Sequence, residues 1–418
     1  MKQPNDFATR YSAHGYGFNV RETYRNLPFQ PFWTWVTGKS LNSEPPKAPE
    51  ETLLKVWQLL LHVSWAYAVL IGGTLLGNRL LHADLPWYAK ALLSVPIIVM
   101  VMNRQRGMLH TFHYTIHGAG ISNRKLARFL CKWMLSVPIL HTTWENYMLI
   151  HIKDHHSRST FCTDIDPDQQ FMTSHGFYKG MSERRFWFLV VFAPFSPMRI
   201  WEHLKFRFDQ SFVVATRSER IARIAYWAVL VTLVSVAHLW PAFALYYLFP
   251  IFFVTQHSSW LQHVAEHLWF PERPADVSQE VYYASLSWGR FFGRPYPVDD
   301  KGLVKLGKLA TWTAGTLLVD IPLRVYSFMQ DLPSHDFHHR SPKVNFWQIA
   351  PERAANEGLP SPFGPMAETW GYVENLLVQR DHLCRGVQDP FGLLEWGRRH
   401  KASLDADAAA RRAQRVAV

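Results

Sequence analysis

Four short clusters of histidine constrain the folding of this chain more than any other feature. Long apolar stretches separate the clusters, which contain ten residues: His113, His117, His151, His155, His156, His263, His267, His335, His338 and His339. Most neighbours within a cluster are three or four residues apart, so on a helix they share one face, with Cβ atoms about 5–6 Å apart. Burying them without a metal would leave many polar nitrogens unsatisfied. The pattern therefore predicts a metal centre.

The number of imidazoles predicts two metal ions. Neutral imidazole binds iron, copper, zinc and nickel, and the clustered imidazoles far exceed the four positions of one tetrahedral zinc site. His110, His141 and His257 lie beside the clusters and are left outside the predicted ligand set. The remaining histidines are interpreted as ordinary hydrogen-bonded residues: His14, His62, His82, His175, His203, His238, His382 and His400.

The apolar stretches predict an integral membrane protein of the all-α class. The chain is 48% hydrophobic and only 18% charged, and it contains 18 Trp. Residues 56–77 carry no Asp, Glu, Lys or Arg, a run long enough to cross a bilayer core of about 30 Å. Residues 85–102 form a second candidate span. Residues 224–262 are again uncharged and fit two spans that break near Pro241. We therefore expect four transmembrane helices in two hairpins.

This topology places all four clusters on one side of the membrane, because two spans lie between the second cluster and the third. A helical cap on that side would then hold the histidine-ligated dimetal centre. The turn between the first two spans has only Arg79 as a basic residue, whereas several Lys and Arg follow the second span. The positive-inside rule therefore predicts a multi-pass protein of the bacterial inner membrane with its histidines facing the cytoplasm.

The remaining composition is consistent with this location. Three cysteines without a Cys-x-x-Cys pair indicate no disulfide framework. The net charge of +11 is attributed to a surface facing lipid headgroups, since no basic nucleic-acid-binding module is visible. The predicted units are an N-terminal cytoplasmic arm (1–51), a membrane and histidine-cluster domain (52–341) and a C-terminal cytoplasmic extension (342–418), in which residues 345–364 are interpreted as a loop.

The clusters resemble the histidine boxes of the membrane fatty acid desaturase and hydroxylase superfamily. His113-x-x-x-His117, followed by Gly-Ala-Gly, is similar to the first desaturase box, and His335-x-x-His338-His339 is similar to the last. Residues 163–167, Thr-Asp-Ile-Asp-Pro, resemble the stretch after the second box of acyl-CoA desaturases. The second box itself has the wider spacing of membrane alkane hydroxylases, and His263 stands where acyl-CoA desaturases have Asn.

The resemblance implies a non-haem di-iron, O₂-dependent enzyme that introduces a double bond into a fatty acyl or similar lipid chain. Hydroxylation, acetylenation and oxidative decarboxylation remain alternatives for the reaction. It also implies that the ten clustered histidines bind the two iron ions. Because the chain has no haem, flavin or iron–sulfur motif, electrons would come from an external donor of the ferredoxin, rubredoxin or cytochrome type.

Two other classes of protein are alternatives to an iron oxidoreductase. A metal transporter would place ligands near the bilayer midplane, whereas these clusters lie beyond the predicted spans. A zinc-dependent hydrolase would need only about three protein ligands for each metal. Carboxylates inside the clusters, from Asp154, Glu266 and Asp336, could orient the ligand imidazoles. The carboxylates of residues 164–168 were interpreted as part of a structural turn.

Overall fold

The computed structural model describes residues 19–41 and 45–406, except for the side chain of Pro49. It is mostly helical. The helices of the first half are α1 (Gln30–Thr37), α2 (Val56–His82), α3 (Trp87–Ile116), α4 (Arg124–Phe129), α5 (Trp144–Tyr147), α6 (Pro167–Ser174), α7 (Glu183–Phe192), α8 (Pro197–Phe208) and α9 (Arg217–Val236). Those of the second half are α10 (Trp240–Phe243), α11 (Thr255–His263), α12 (Gln279–Ser285), α13 (Gly302–Gly315), α14 (Ile321–Tyr326), α15 (His335–Arg340), α16 (Ile349–Asn356), α17 (Tyr372–Arg385) and α18 (Leu393–Arg399).

Helices α2 and α3 form a long hairpin. A short segment that ends at Pro86 joins them, and Pro86 immediately precedes the first residue of α3. Among the described residues, Glu50–His82 is the one helical segment that is long and apolar enough to cross a membrane. Helix α3 is as long, but its second half is polar and buried and ends in the first histidine cluster. The hairpin therefore connects an apolar region to the histidines.

A second helical pair follows α9. The Thr216 hydroxyl caps the first turn of α9 by accepting from the Glu219 amide. After a break at residues 237–239, a helical path runs from Trp240 to His263. This path contains two π-helical segments, Ala244–Leu248 and Pro250–Val254. A π segment absorbs an interruption of the α-helical ladder, such as the missing N–H of Pro250.

Two short strands are the departure from the predicted all-α class. Strands β1 (Gly289–Phe291) and β2 (Glu368–Trp370) form a parallel pair in which Arg290 faces Thr369. Three-residue strands have no periodicity that a sequence pattern can reveal. The pair joins the segment before the last histidine cluster to residues beyond 342, so the C-terminal residues pack into the same core as the rest.

Part of the segment that the sequence predicts to be a loop is helical in the structure. Helix α16 lies within residues 345–364, whose composition predicts a loop. Its Pro351 is the third residue of the helix, where a missing N–H costs little because the first-turn amides have no intrahelical acceptor.

Close packing of α2 against the second pair depends on Gly77. A Cβ at Gly77 would overlap the ring of Tyr246, whereas a Cβ at Gly72, on the same helix, would meet nothing within 4 Å. The Tyr246 hydroxyl also lies 2.6 Å from the Ser94 hydroxyl of α3, so three helices meet at this point.

We predict that Gly77→Ala lowers the melting temperature of the purified protein, because overpacking a tight contact costs about 1–3 kcal/mol. Gly72→Ala is the matched control, and we expect it to be neutral or stabilising by up to about 1 kcal/mol. Equal melting temperatures for the two variants would contradict the contact between α2 and Tyr246.

Candidate metal centre

The four clusters lie at the ends of helices or on distorted helices. His113 is in the last turn of α3 and His117 follows it directly. The second cluster occupies a π-helical segment, Met148–His155. The third begins at the last residue of α11, and the fourth forms α15. These elements converge, so clusters that are far apart in sequence share one buried region.

Five histidines form the first group, here called the five-histidine group: His113, His117, His151, His156 and His338. One ring nitrogen of each lies within 4.8 Å of those of the others. The Nε2 atoms of His113 and His338 are 2.9 Å apart, and His151 Nε2 lies 3.0 Å from His113 Nε2 and 3.1 Å from His117 Nε2. The ε-nitrogens therefore point at one small volume.

Four histidines form the second group, here called the four-histidine group: His155, His267, His335 and His339. One ring nitrogen of each again lies within 4.8 Å of the others. His339 Nε2 is 3.1 Å from His335 Nε2, and His267 Nε2 is buried without a hydrogen-bond partner. The two groups are adjacent, because the ring of His156 stacks on that of His339 with centroids 4.3 Å apart.

The structure divides two of the clusters between the groups. His155 and His156 are consecutive residues but belong to different groups, as do His338 and His339. In the π-helical segment the His156 amide donates to the His151 carbonyl, a bond across five residues. This wider turn brings His151 and His156 together, with ring centroids 4.6 Å apart. Regular α-helical spacing would not pair these two residues.

Burial keeps almost all of these imidazoles neutral. It is the main cause that lowers the pKa of His113 to about 3. Burial likewise lowers the pKa of the other members except His155, and neighbouring imidazoles lower it further; for His267 burial is again the first cause. A neutral imidazole has a free lone pair, which is the form that binds a metal.

His155 is held differently, by a carboxylate. Its Nδ1 lies 3.0 Å from Asp166 Oδ1 and 3.3 Å from Asp168 Oδ2. Burial alone would lower the pKa of His155, but the charges of Asp166 and Asp168 outweigh it and raise that pKa to about 9. With Nδ1–H donating to Asp166, the Nε2 atom is left for the four-histidine group, but at this pKa it carries a proton near neutral pH that a bound metal ion would displace.

Further polar residues fix the δ-nitrogens of two other imidazoles. Ser287 Oγ lies 2.6 Å from His267 Nδ1, and the Tyr283 hydroxyl lies 2.8 Å from His339 Nδ1. Such contacts fix the tautomer and the orientation of a metal-binding imidazole. Sequence reasoning did not single out these residues or Asp166 for this role. Only Asp166 has a signal in the sequence, as the second Asp of the Thr-Asp-Ile-Asp-Pro stretch, whose pattern predicts a structural turn.

The tenth predicted ligand, His263, lies outside both groups. Its Nε2 is 3.1 Å from the Asp168 carbonyl, its Nδ1 is 3.3 Å from Glu266 Oε2, and its ring stacks on Trp269. The geometry therefore gives no support to His263 as a ligand, although its spacing from His267 is regular. Helix α11 ends at His263, so His263 and His267 do not lie on one helical face.

The three carboxylates predicted to orient imidazoles have different positions. Glu266 Oε1 lies 3.0 Å from His335 Nε2, and hydrogen bonding and nearby positive charge outweigh burial and lower the pKa of Glu266 strongly. Asp336 instead forms a buried pair with Arg353, whose Nη2 is 2.9 Å from Asp336 Oδ2. No contact of the Asp154 carboxylate with an imidazole is found within the described residues. Of these three carboxylates, Glu266 is thus the one that contacts a residue of the four-histidine group.

A cavity of about 190 Å³ adjoins both histidine groups. Its polar lining includes Arg106, Glu266 and His110, and its apolar lining includes Leu109 and Ile150. The Arg106 guanidinium donates to Ser258, Gln262 and the Ser327 carbonyl, which holds it in place. The cavity could admit a short piece of an aliphatic chain next to the ring nitrogens.

These residues fit a pair of metal ions. Buried, neutral imidazoles whose nitrogens face one another at about 3 Å cannot all hydrogen bond to each other, and His156 Nε2 and His267 Nε2 have no partner in the described structure. A metal within each group would satisfy these nitrogens. All-nitrogen sets of this kind suit iron, copper, zinc or nickel.

We predict that Asp166→Asn weakens metal binding about 10–100-fold, because the charge that orients His155 is lost. Asparagine can still accept from the Asp168 amide at the N-terminus of α6, as Asp166 does, so the local fold should persist. Asp164→Asn is the control, since Asp164 contacts Gln169 and no imidazole. Retention of metal against a chelator that is equal in the two variants would refute the role of Asp166.

Comparison with known families agrees with this geometry. The sequence matches the family model described as fatty acid desaturase over residues 86–294, which is half of the chain. None of the curated proteins compared with the chain matches it. The matched residues include the first three histidine clusters, and the fourth cluster completes both groups in space. The chain therefore belongs to the fatty acid desaturase family.

Proposed function

We propose that this protein is a membrane-bound, O₂-dependent di-iron oxidoreductase that desaturates a fatty acyl or related lipid chain. The observation that carries the proposal is the pair of adjacent histidine groups, five imidazoles in one and four in the other. Ligand sets made of imidazole nitrogens suit iron, and the family membership favours iron over copper, zinc or nickel.

The proposed membrane placement has four spans in two hairpins. Glu50–His82 supports the first span by length and composition. Apolar side chains of the other proposed spans face outward, including Leu92 with 73% exposure and Val236 with 74%. Exposed apolar surface on this scale is costly in water and is expected in lipid. All histidine groups then lie beyond the span ends on one side, which we assign to the cytoplasm.

Iron bound at both groups would supply the reduction of O₂ and the removal of hydrogen from an unactivated C–H bond. The residues of the chain would do the rest. The δ-nitrogen partners hold the imidazoles in one orientation. Leu109 and Ile150 exclude water from the cavity and hold an alkyl segment there, and Arg106 provides a fixed positive charge at its wall. Electrons would come from an external protein donor.

Desaturation remains our preferred reaction among those of the family. In desaturation, two hydrogens leave the substrate, two electrons come from the donor and two protons come from solvent, so that both oxygen atoms of O₂ end in water. Hydroxylation, acetylenation or oxidative decarboxylation would use the same centre. A metal transporter is a remote alternative, because the buried histidines lie beyond the proposed spans and not near their midpoints.

We expect His338→Ala and His339→Ala each to lower bound iron from two ions per chain to one or none and to abolish activity. These neighbours in α15 are both buried, and each belongs to a different group. Iron content of protein recovered from the membrane fraction measures the effect. His263→Ala and the exposed His400→Ala should retain both ions. Full iron in the α15 variants would eliminate the dimetal assignment, and zinc in place of iron would eliminate the oxidoreductase.

The reaction can be decided with ¹⁸O₂ and a host of known lipid profile. We expect a new double bond and no ¹⁸O in the lipid product, measured by mass spectrometry. A hydroxylated product that carries the label would reject desaturation in favour of hydroxylation. Loss of one carbon as CO₂ with a terminal alkene would select decarboxylation. Protein with His339→Ala is the negative control in each case.

A further inference from the structure

A second and larger cavity lies apart from the five-histidine and four-histidine groups. Its volume is about 940 Å³. Helix α1, the α3 segment around Arg104, Arg324 of α14 and residues 346–351 form its walls. Nothing in the proposed desaturation uses this space.

The lining of this cavity is strongly cationic. It includes four arginines, Arg21, Arg25, Arg104 and Arg324, and Asp331 is the one carboxylate among its described residues. Burial raises the pKa of Asp331 to about 7, so this carboxylate neutralises only part of the positive charge near neutral pH. The Tyr114 hydroxyl also donates to it.

Two of these arginines are buried and form no ion pair with a described residue, although the charges of Glu22 and Asp331 act on Arg21 and Arg324 from a longer distance. Arg21 is 0% exposed and donates to the Lys39 carbonyl and to neutral groups of α1, and Arg324 is 1% exposed and donates to two backbone carbonyls. Neither has a carboxylate within 4.0 Å in the described part of the chain, and the Nη1 atom of each lacks a partner there.

Burial makes these charges costly. It lowers the pKa of Arg21 to about 10 and that of Arg324 to about 9, which still leaves both charged near neutral pH. A buried charge without a partner is strongly destabilising, and an anion in the cavity would offset this cost.

In the proposed membrane placement, exposed aromatic side chains around the cavity indicate that it lies at the level of lipid headgroups. Phe29, Phe32 and Trp35 of the α1 region are exposed, and Trp347 is 42% exposed on another wall. Aromatic rings concentrate at membrane interfaces, and Met100 of the lining is near the end of the second proposed span. Basic pockets at this depth on the cytoplasmic side bind anionic headgroups.

We propose that this cavity binds the phosphate of an anionic membrane lipid, with Arg21 and Arg324 as its main charged contacts. The volume far exceeds that of a phosphate ion, and the apolar wall formed by Met100, Val325 and Ile349 can pack against the glycerol and upper acyl chain. The proposal rests on the proposed membrane placement but not on the reaction catalysed.

The test measures lipid binding to the iron-loaded, full-length protein in detergent by native mass spectrometry. We expect phosphatidylglycerol to be retained at least about tenfold better than phosphatidylcholine of the same chains, the size expected of a charge-assisted hydrogen bond. Arg324→Gln and Arg21→Gln should remove this preference, and Arg324→Lys should keep most of it. Arg217→Gln, an exposed arginine on the same proposed side, should leave it unchanged.

Several outcomes would overturn the proposal. They are equal retention of the two lipids by the wild type, a preference that survives Arg324→Gln, and full occupation by inorganic phosphate alone. Displacement of phosphatidylglycerol by an acyl phosphopantetheine thioester would instead assign the cavity to the substrate head. The comparison of the two lipids on the wild-type protein tests the proposal even if a variant misfolds. Release of the protein from membranes by alkaline carbonate would show separately that the membrane placement had failed.

Discussion

Convergence of nine imidazole nitrogens on two adjacent buried volumes is the constraint on which the rest of this structure depends. To bind a metal, each ring must be neutral and correctly oriented. Burial favours the neutral form of rings such as His113, and partners such as Asp166 and Ser287 fix the orientation of His155 and His267. The residues come from four separate parts of the chain. The helices must therefore deliver all four parts to the same end of the molecule. In the proposed membrane placement, two crossings between the second cluster and the third meet this condition.

Distortions of the helices make this convergence possible. The π-helical segment Met148–His155 turns His151 and His156 towards one group while His155 faces the other. Another π segment, Thr316–Asp320, lies just before Pro322, and the helix continues from α13 into α14 instead of breaking at the proline. In the first place the wider π turn orients the imidazoles, and in the second it lets the helix continue past a proline. A regular α-helix would do neither, and π segments are frequent at functional sites.

The sequence predicted much of this arrangement because histidine spacing and uncharged length are local signals. The convergence of the histidines, the long first helix and the break before Trp240 could all be derived in this way. Division of the clusters between two groups could not, since it depends on π-helical geometry. The strand pair and the contact of Asp166 with His155 depend on tertiary packing. His263 shows the limit of spacing, because the helix ends at that residue.

Neutral ligands also determine how the charge of the metal centre must be balanced. Imidazoles contribute no negative charge, so nearby carboxylates would have to offset the positive charge of any metal ions bound in the two groups. Glu266, beside His335, and Asp166, behind His155, are the buried carboxylates in direct contact with the groups. Arg290, at 4.0 Å from Glu266, reduces even this compensation. Metal ions bound in these groups would therefore keep part of their positive charge, because the imidazoles offset none of it and Arg290 opposes the charge of Glu266.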